Sequence, residues 1–296
     1  MEIIYLTNSL AFPSMTFTIQ GEVSIMLIGK QVALSAISTS DAHSITIRGK
    51  DLCSELIGKM NFADFYYFLL TGQQATPLQS LFINATLVTI AEHGLTPTAQ
   101  AARMTYDADP GALQAAVAAG ILGAGSVVMG TSEVCGRMLH DIVETAAQTS
   151  ASILDVTRAK LKERKENKLT VPGYGHPLHS SGDPRTRRLL EMATEHNVQG
   201  KHVEALLAIE QLLPEIYGRT LPINVSGTIP AVLLDTGFPV GALKGIPILA
   251  RTAGLLGHLY EESTRPIGFL MYHHAEQAIT YDGPKSCVPV QAGVPA

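Results

Sequence analysis

A histidine in a glycine-rich segment is the residue best placed to do chemistry in this sequence. His176 lies between Gly175 and Pro177 in VPGYGHPLH (171–179), which holds almost no other ionisable group. The glycines that flank Tyr174 allow the backbone to approach a ligand, and backbone amides can bind an anion or a carbonyl. A histidine there can donate to an oxygen or transfer a proton. A structural histidine bonded to a nearby carbonyl explains the pattern equally well, so spacing alone does not decide.

Two further candidates lie on predicted helices. Arg251 falls within ILARTAGLLGHLYEE (248–262), a helix that is otherwise mostly apolar. A buried arginine needs an anion, which is either a carboxylate side chain or an acidic ligand. His258 is seven residues further on, two turns along the same face. His93 ends a helix in AEHG (91–94), where the helix dipole favours a cation, so capping alone explains its position as well as substrate binding does.

The composition excludes several classes of protein. The 296 residues are 46% apolar and 16% charged, with a net charge of −5 and no long basic tract, which argues against a nucleic-acid partner. No run of about 20 apolar residues predicts a membrane span. The three cysteines are widely spaced, without a CxxC pair, so we expect neither a disulfide framework nor a metal site. We expect a cytoplasmic protein.

The elements that must position these residues are mostly helical. The alternation of Ile45 and Ile47 predicts a short strand in a hairpin, and strand signals elsewhere are scarce. The helical pattern and the capping residues predict helices at 51–59, 62–72, 76–93, 97–106, 131–149, 151–166, 184–196, 201–217, 227–236 and 242–262. We therefore predict a mainly α fold with a small N-terminal β element.

The segment 110–128 is unusually rich in alanine and glycine. Small residues at this density allow helix backbones to approach closely, which predicts a buried or subunit-interface helix. The alternative is a phosphate-binding loop, but no Lys-Ser/Thr pair follows the glycines and no strand precedes them.

Several segments in order resemble the citrate synthase superfamily. VPGYGHPLHSSGDPR (171–185) is similar to that family's Gly-Tyr-Gly-His loop followed by Asp-Pro-Arg. FADFYYFLLTG, AEHG, INVSG, ARTAGLLGHLYEE and RPIGFLMYHHAEQAITY resemble its short branch, which contains citryl-CoA lyase and the citryl-CoA-cleaving domain of ATP-citrate lyase. The resemblance runs from about Ala33 to Pro284.

The resemblance implies a citrate-synthase-like two-domain helical fold, as a homodimer or higher homo-oligomer, with the active site between the domains. The expected division is an N-terminal extension (1–32), a large domain (33–140 and 222–296) and a small helical domain with the CoA-binding loop (141–221). The implied ligands are an acyl-CoA thioester and a dicarboxylate. No permanently bound cofactor, metal, nucleic acid or membrane is expected.

The resemblance also assigns roles to individual residues. The implied catalytic positions are His176, His93 and Ser226. Arg251, with His258 on the same face, is assigned to a substrate carboxylate. The residues assigned to CoA are Gly173, Tyr174, Gly175, Arg185 and Arg188.

Two positions depart from the family pattern. Val128 stands where citrate synthases have a histidine that polarises the thioester carbonyl, and the short branch lacks this histidine too. Ser226 stands where the family has an aspartate that moves the proton at the acetyl methyl group, and serine is not a base near pH 7. Asp235, nine residues on, is expected to face elsewhere. The resemblance implies a citryl-CoA lyase-like enzyme. The alternatives are a synthase-type acyltransferase, a divergent hydroxyacyl-CoA lyase or a non-catalytic CoA- or dicarboxylate-binding homologue.

Overall fold

The computed structural model describes residues 34–125, 129–175 and 182–284. Near the start of this part, three short strands form an antiparallel sheet in the order β1 (Ser38–Ser40), β2 (Ile45–Ile47) and β3 (Lys50–Asp51). Ser38 pairs with Ile47 in this register, which confirms the predicted hairpin. A π-helical stretch, Leu52–Leu56, lies where a helix at 51–59 was predicted.

Helices make up most of the remaining described residues. They are α1 (Phe62–Thr71), α2 (Pro77–Ala91), α3 (Pro97–Ala108), α4 (Leu113–Leu122), α5 (Thr131–Thr149), α6 (Ile153–Glu166), α7 (Pro184–Glu195), α8 (Lys201–Tyr217), α9 (Val225–Asp235), α10 (Gly245–Glu262) and α11 (Gly268–Ala278). The predicted mainly α class with a small N-terminal β element is confirmed. Helix α11 was not predicted from the residue pattern, because all its residues but Gly268 and Met271 are exposed and it has no apolar stripe.

Capping residues explain where the site-bearing helices begin. Thr76 and Gln79 form a reciprocal capping box at the start of α2, with Pro77 at the first helical position. Asp183 caps α7 by accepting from the Arg185 amide, directly before a proline. Asn224 caps α9 by accepting from the Ser226 amide. These short polar side chains satisfy amides that would otherwise lack partners.

The helices pack around two apolar cores. In the larger core, α9 is buried along almost its whole length and contacts α2, α5, α7 and α8. The smaller core joins α3, α4 and α10 through Ala102, Ala116, Leu255 and Leu259. A Cβ atom on Gly120 of α4 would lie 2.6 Å from Leu255. The close helix packing predicted for the Ala/Gly-rich segment is therefore confirmed over α4.

The predicted division into domains stays a prediction. The larger core contains Leu139, Leu206 and Val232, which come from both sides of the expected boundaries. Within the described ranges, no helix is both long and apolar enough to cross a membrane. The predicted extension at 1–32, Val128, His176 and the tail beyond Pro284 lie outside the described residues.

Candidate active site

A short backbone pairing holds the glycine-rich segment against the start of α9. The Asn224 amide donates to the Gly173 carbonyl at 2.9 Å, and the Gly175 amide donates to Pro222 O at 2.8 Å. The Asn224 side chain adds a 2.6 Å hydrogen bond to the Gly175 carbonyl. This pairing holds Gly175, the residue before His176 in the sequence, beside the N-terminal end of α9.

Two glycines allow this close approach. Gly173 has φ +87°, a conformation that other residues rarely adopt. A Cβ atom at Gly173 would lie 2.8 Å from Gly227 Cα and 2.7 Å from the Cys135 sulfur. Side chains are thus excluded from both sides of the contact between the loop and α9.

The side chain of Tyr174 is part of the core rather than of an open surface. Its hydroxyl donates to Leu206 O at 2.7 Å, and burial raises its pKa well above the ordinary value. The Gly175 amide donates to the Pro222 carbonyl and is therefore not available to a ligand. Contact of these residues with CoA stays a prediction, and for Tyr174 it would have to involve the backbone.

Asp183 joins the beginnings of α7 and α9. Its carboxylate accepts from the Arg185 amide at 3.0 Å and from the Arg185 guanidinium at 3.0 and 2.9 Å. It also accepts from the Val225 amide at 3.2 Å. Burial raises the pKa of Asp183, but these hydrogen bonds outweigh it and leave the pKa below its usual value. One carboxylate therefore fixes both helix starts and the direction of Arg185.

Arg188, one turn further along α7, lies on the surface. It pairs with Glu195 at 2.9 Å, and hydrogen bonding to this carboxylate raises the pKa of Arg188. The side chain is 57% exposed, so the pair restrains it only weakly. Its predicted contact with CoA remains a prediction.

Ser226 lies in the first turn of α9 and is half-buried. Its amide donates to the Asn224 side chain at 2.9 Å. Asp235 ends the same helix, roughly 13 Å away at 1.5 Å per residue. The Asp235 carboxylate accepts from the amides of Gly200 and Val203, both at 2.9 Å, at the start of α8. As expected, Asp235 faces away from Ser226.

The second half of the site forms where α2 crosses α10. A Cβ atom on Gly254 would lie only 1.9 Å from the Ala91 carbonyl oxygen, so the two backbones touch. This contact places Glu92 and His93, at the end of α2, beside the face of α10 that carries Arg251. The structure thus brings the end of α2 and Arg251 into one region.

Arg251 is buried, with 9% of its surface exposed, and its Nη1 has no hydrogen-bond partner among the described residues. Burial lowers the pKa of Arg251, the charge of Glu92 raises it, and the charge of Arg185 lowers it again. An arginine remains protonated through such shifts. The site therefore contains a buried cation within electrostatic range of a second one, which is the environment that an anionic ligand requires.

His258 contacts protein groups through both ring nitrogens. Its Nδ1 accepts from Arg103 Nε at 3.0 Å, and its Nε2 lies 2.8 Å from a carboxylate oxygen of Glu92. Among the described residues Nε2 has no hydrogen-bond partner, so its contact with Glu92 is a close approach only. The predicted role of His258 in binding a substrate carboxylate stays a prediction.

Three residues of this region were not recognised in the sequence as belonging to a site. Asp183 precedes Pro184, and this Asp-Pro pair predicts the start of a helix. The contact of Asp183 with α9 could not be inferred from the sequence. Arg103 lies in PTAQAARMTYDA. An arginine among alanines on a helix indicates a buried charge, as it does at Arg251. Glu92 precedes His93, and no neighbouring residue in the sequence indicates that its carboxylate contacts a histidine side chain and two backbone amides.

The fold and the site define a class: a mainly helical protein with a buried arginine beside the end of α2, whose Nη1 lacks a hydrogen-bond partner among the described residues. Comparison with known proteins then assigns the family. The chain belongs to the family described as citrate synthase, C-terminal domain, which matches residues 33–268.

Several relatives and solved structures are similar to the chain. It is 26% identical over 249 residues to a probable ATP-citrate synthase of Dictyostelium discoideum, covering 78% of this chain and 38% of the relative. It is 28% identical over 208 residues to citrate synthase 2 of Bacillus subtilis, covering 68% and 52%. The chain thus spans about half or less of these curated relatives.

Among solved structures, citryl-CoA lyase from Hydrogenobacter thermophilus is 31% identical with a TM-score of 0.75, covering 88% of this chain and 98% of that one. ATP citrate lyase from Methanothrix soehngenii, in complex with citrate and coenzyme A, is 23% identical with a TM-score of 0.70. It covers 86% of this chain and 42% of that one, and at this identity it shows the fold alone.

Proposed function

We propose that the protein is a citryl-CoA lyase-like enzyme, which cleaves citryl-CoA or a close relative into acetyl-CoA and an α-keto diacid such as oxaloacetate, or catalyses the reverse. The observation that carries the proposal is the buried Arg251, whose Nη1 lacks a partner and whose charge lies within range of Arg185. A substrate carboxylate would supply the missing partner. Similarity over nearly the whole length of a citryl-CoA lyase supports a lyase over a synthase.

In the proposed reaction a base removes the proton of the tertiary hydroxyl group, and the bond to the α-carbon breaks as the carbonyl forms. Acetyl-CoA leaves as its enolate and is protonated at carbon. Arg251 holds a carboxylate, while His93 and His176 bind the oxygen that changes from hydroxyl to carbonyl. A positioned donor of this kind contributes roughly 3–4 kcal/mol.

Coenzyme A enters this proposal as part of the substrate. The segment 171–175, Arg185 and Arg188 are proposed to contact it at the start of α7, while Ser226 faces the acyl group from the start of α9. We expect a homodimer or higher oligomer, as the family resemblance implies. Because the chain spans about half or less of its curated relatives, their complete activities are not transferred to it.

Ser226 is the specific reason to keep a second candidate. A serine in place of the family's aspartate cannot act as an unaided base near pH 7. A CoA- or dicarboxylate-binding protein without turnover, or a lyase for a different hydroxyacyl-CoA, would tolerate this exchange.

A product assay separates these candidates. Citryl-CoA is incubated with the protein, and oxaloacetate is measured through NADH oxidation by malate dehydrogenase, while acetyl-CoA and free CoA are separated by chromatography. Acetyl-CoA with equimolar oxaloacetate supports the lyase, whereas citrate with free CoA indicates synthase-type hydrolysis. If neither citryl-CoA nor other hydroxyacyl-CoA thioesters react while CoA and citrate bind in calorimetry, the lyase proposal is wrong and the binding protein is favoured.

A further inference from the structure

A continuous chain of contacts connects the interior of α3 to the backbone at His93. Arg103 donates through Nε and Nη2 to His258 Nδ1, at 3.0 and 2.9 Å. Because Nδ1 accepts these bonds, the proton of the ring is assigned to Nε2, which faces Glu92 Oε2 at 2.8 Å. The other Glu92 oxygen accepts from the amides of His93, at 2.8 Å, and Gly94, at 2.5 Å.

The far end of this chain is fixed by a buried ion pair. Arg103 is 1% exposed, and its Nη1 lies 2.5 Å from Glu262 Oε2. It also contacts Glu261. Burial opposes the charge of Arg103, but hydrogen bonds to the two glutamates leave its pKa raised. The other oxygen of Glu262 caps the start of α11 at the Gly268 amide, 2.7 Å away. Arg103 therefore cannot turn away from His258 without breaking these contacts.

The position of Glu92 in this chain of contacts affects Arg251. Glu92 is the carboxylate whose charge stabilises protonated Arg251 across the site, yet Arg251 Nη1 has no hydrogen-bond partner. One oxygen of Glu92 lies 2.8 Å from His258 Nε2, and the other accepts hydrogen bonds from two backbone amides. A released Glu92 side chain could instead turn to Arg251 and neutralise the cation.

We propose that His258, held by Arg103, is a positioning residue that keeps Glu92 bound to the backbone at His93 and away from Arg251. This leaves the Arg251 guanidinium available for the carboxylate of the substrate. The proposal rests on the proposed function, because it assumes that Arg251 and His93 contact a dicarboxylate.

Substitutions at His258 test this role. His258→Gln retains an amide donor near the ring Nε2 position, whereas His258→Asn retains only the acceptor facing Arg103. We expect His258→Asn to raise the KM for citryl-CoA and the Kd for citrate about tenfold, as loss of a supporting contact often does. We expect His258→Gln to remain within about threefold of the wild type, with kcat changing less than KM in both variants.

A double variant distinguishes positioning from a general loss of structure. Glu92→Gln retains an oxygen for the backbone amides but removes the negative charge. In the His258→Asn background it should therefore restore most of the citrate affinity. A merely structural role for His258 would lower the Tm and would not be rescued by removing a charge at position 92.

The outcomes also separate this inference from the proposed function. If the wild type cleaves citryl-CoA but His258→Asn and His258→Gln have the same KM and Kd as the wild type, the positioning role is wrong. A loss of affinity in His258→Asn that Glu92→Gln does not restore also overturns it. If the wild type shows no turnover, the lyase fails, while citrate affinities measured by calorimetry on the same variants still decide the positioning role. If the wild type neither cleaves citryl-CoA nor binds citrate, both are wrong.

Discussion

The positive charges of Arg185 and Arg251 influence each other across the site, and the charge of Arg185 lowers the pKa of Arg251. Arg185 is neutralised in part by Asp183, whereas Arg251 has no hydrogen-bonded carboxylate among the described residues. Two guanidinium groups brought within range of each other cost free energy unless an anion joins them. An anion such as the dicarboxylate of the proposed substrate would relieve the repulsion between Arg185 and Arg251.

Removing the charge of Arg251 should therefore weaken ligand binding without lowering the free energy of unfolding. We expect Arg251→Gln to weaken citrate binding at least about a hundredfold, a loss of roughly 3 kcal/mol. The free energy of unfolding should stay equal or rise, because a buried charge without a full set of partners is removed. Calorimetry and urea denaturation measure the two effects.

Arg137→Gln is the matched control for Arg251→Gln, since Arg137 is an exposed arginine paired with Glu133 on α5. It should change neither quantity beyond about 0.5 kcal/mol. Unaltered citrate affinity in Arg251→Gln would contradict the assignment of Arg251 to a carboxylate.

The start of α9 is expected to accept an acidic residue at position 226. The position is in the first helical turn, where the helix dipole favours a carboxylate by about 0.3–1 kcal/mol. Ser226→Asp should therefore fold, and we expect it to increase the rate of citryl-CoA cleavage at least about tenfold by supplying a carboxyl group that transfers the proton at the acetyl methyl carbon. Ser226→Asn, which has a similar shape without a titratable group, should not. Equal rates in the two variants would show that proton transfer at this position does not limit the reaction.

Asp183 should make the stability of the protein depend on pH. Its folded-state pKa is lowered, so its contribution is fully present above the unfolded value of about 3.9 and is lost as the pH falls through the folded value. We expect Asp183→Asn to cost about 1.5–3 kcal/mol at pH 7, because hydrogen bonds to a charged group are lost. Urea denaturation at pH 7, 5 and 3 should show the difference from the wild type shrinking only below pH 4. A constant difference would mean that the charge of Asp183 is unimportant.

The contact between the loop and α9 can be tested at Gly173. Gly173→Ala places a methyl group against the Gly227 backbone and the buried Cys135 sulfur, in a backbone conformation with positive φ. Gly218→Ala is a matched control, because Gly218 has φ +70° and open space at its Cβ position. We expect the control to cost about 1–2 kcal/mol and Gly173→Ala about 1–3 kcal/mol more. Equal losses in thermal or urea denaturation would show that the close approach contributes nothing.

Local signals in the sequence predicted much of the fold. Helix α5 was predicted at 131–149 and α8 at 201–217, as the structure has them, because their apolar patterns and ends are clear. Helix α11 was missed, since an exposed helix without an apolar stripe leaves no periodic pattern.

The site was harder to predict from the sequence than the fold. Arg251 was recognised because a charge on an apolar helix face is a local anomaly. The partners of His258 were not, because its contacts with Arg103 and Glu92 are made between helices far apart in the sequence. Such contacts depend on how α2, α3 and α10 cross. No residue pattern within one of these helices predicts that crossing.

The pairing of 173–175 with 222–224 is made largely by main-chain atoms. Only Asn224 contributes a side-chain hydrogen bond to it. The path of the chain through this pairing is therefore largely independent of the side chain at position 226, and we expect a mutation there to change the local chemistry without disrupting the pairing. A scaffold of this kind can acquire new chemistry through single substitutions, and an aspartate-to-serine exchange at position 226 is a change that it tolerates structurally.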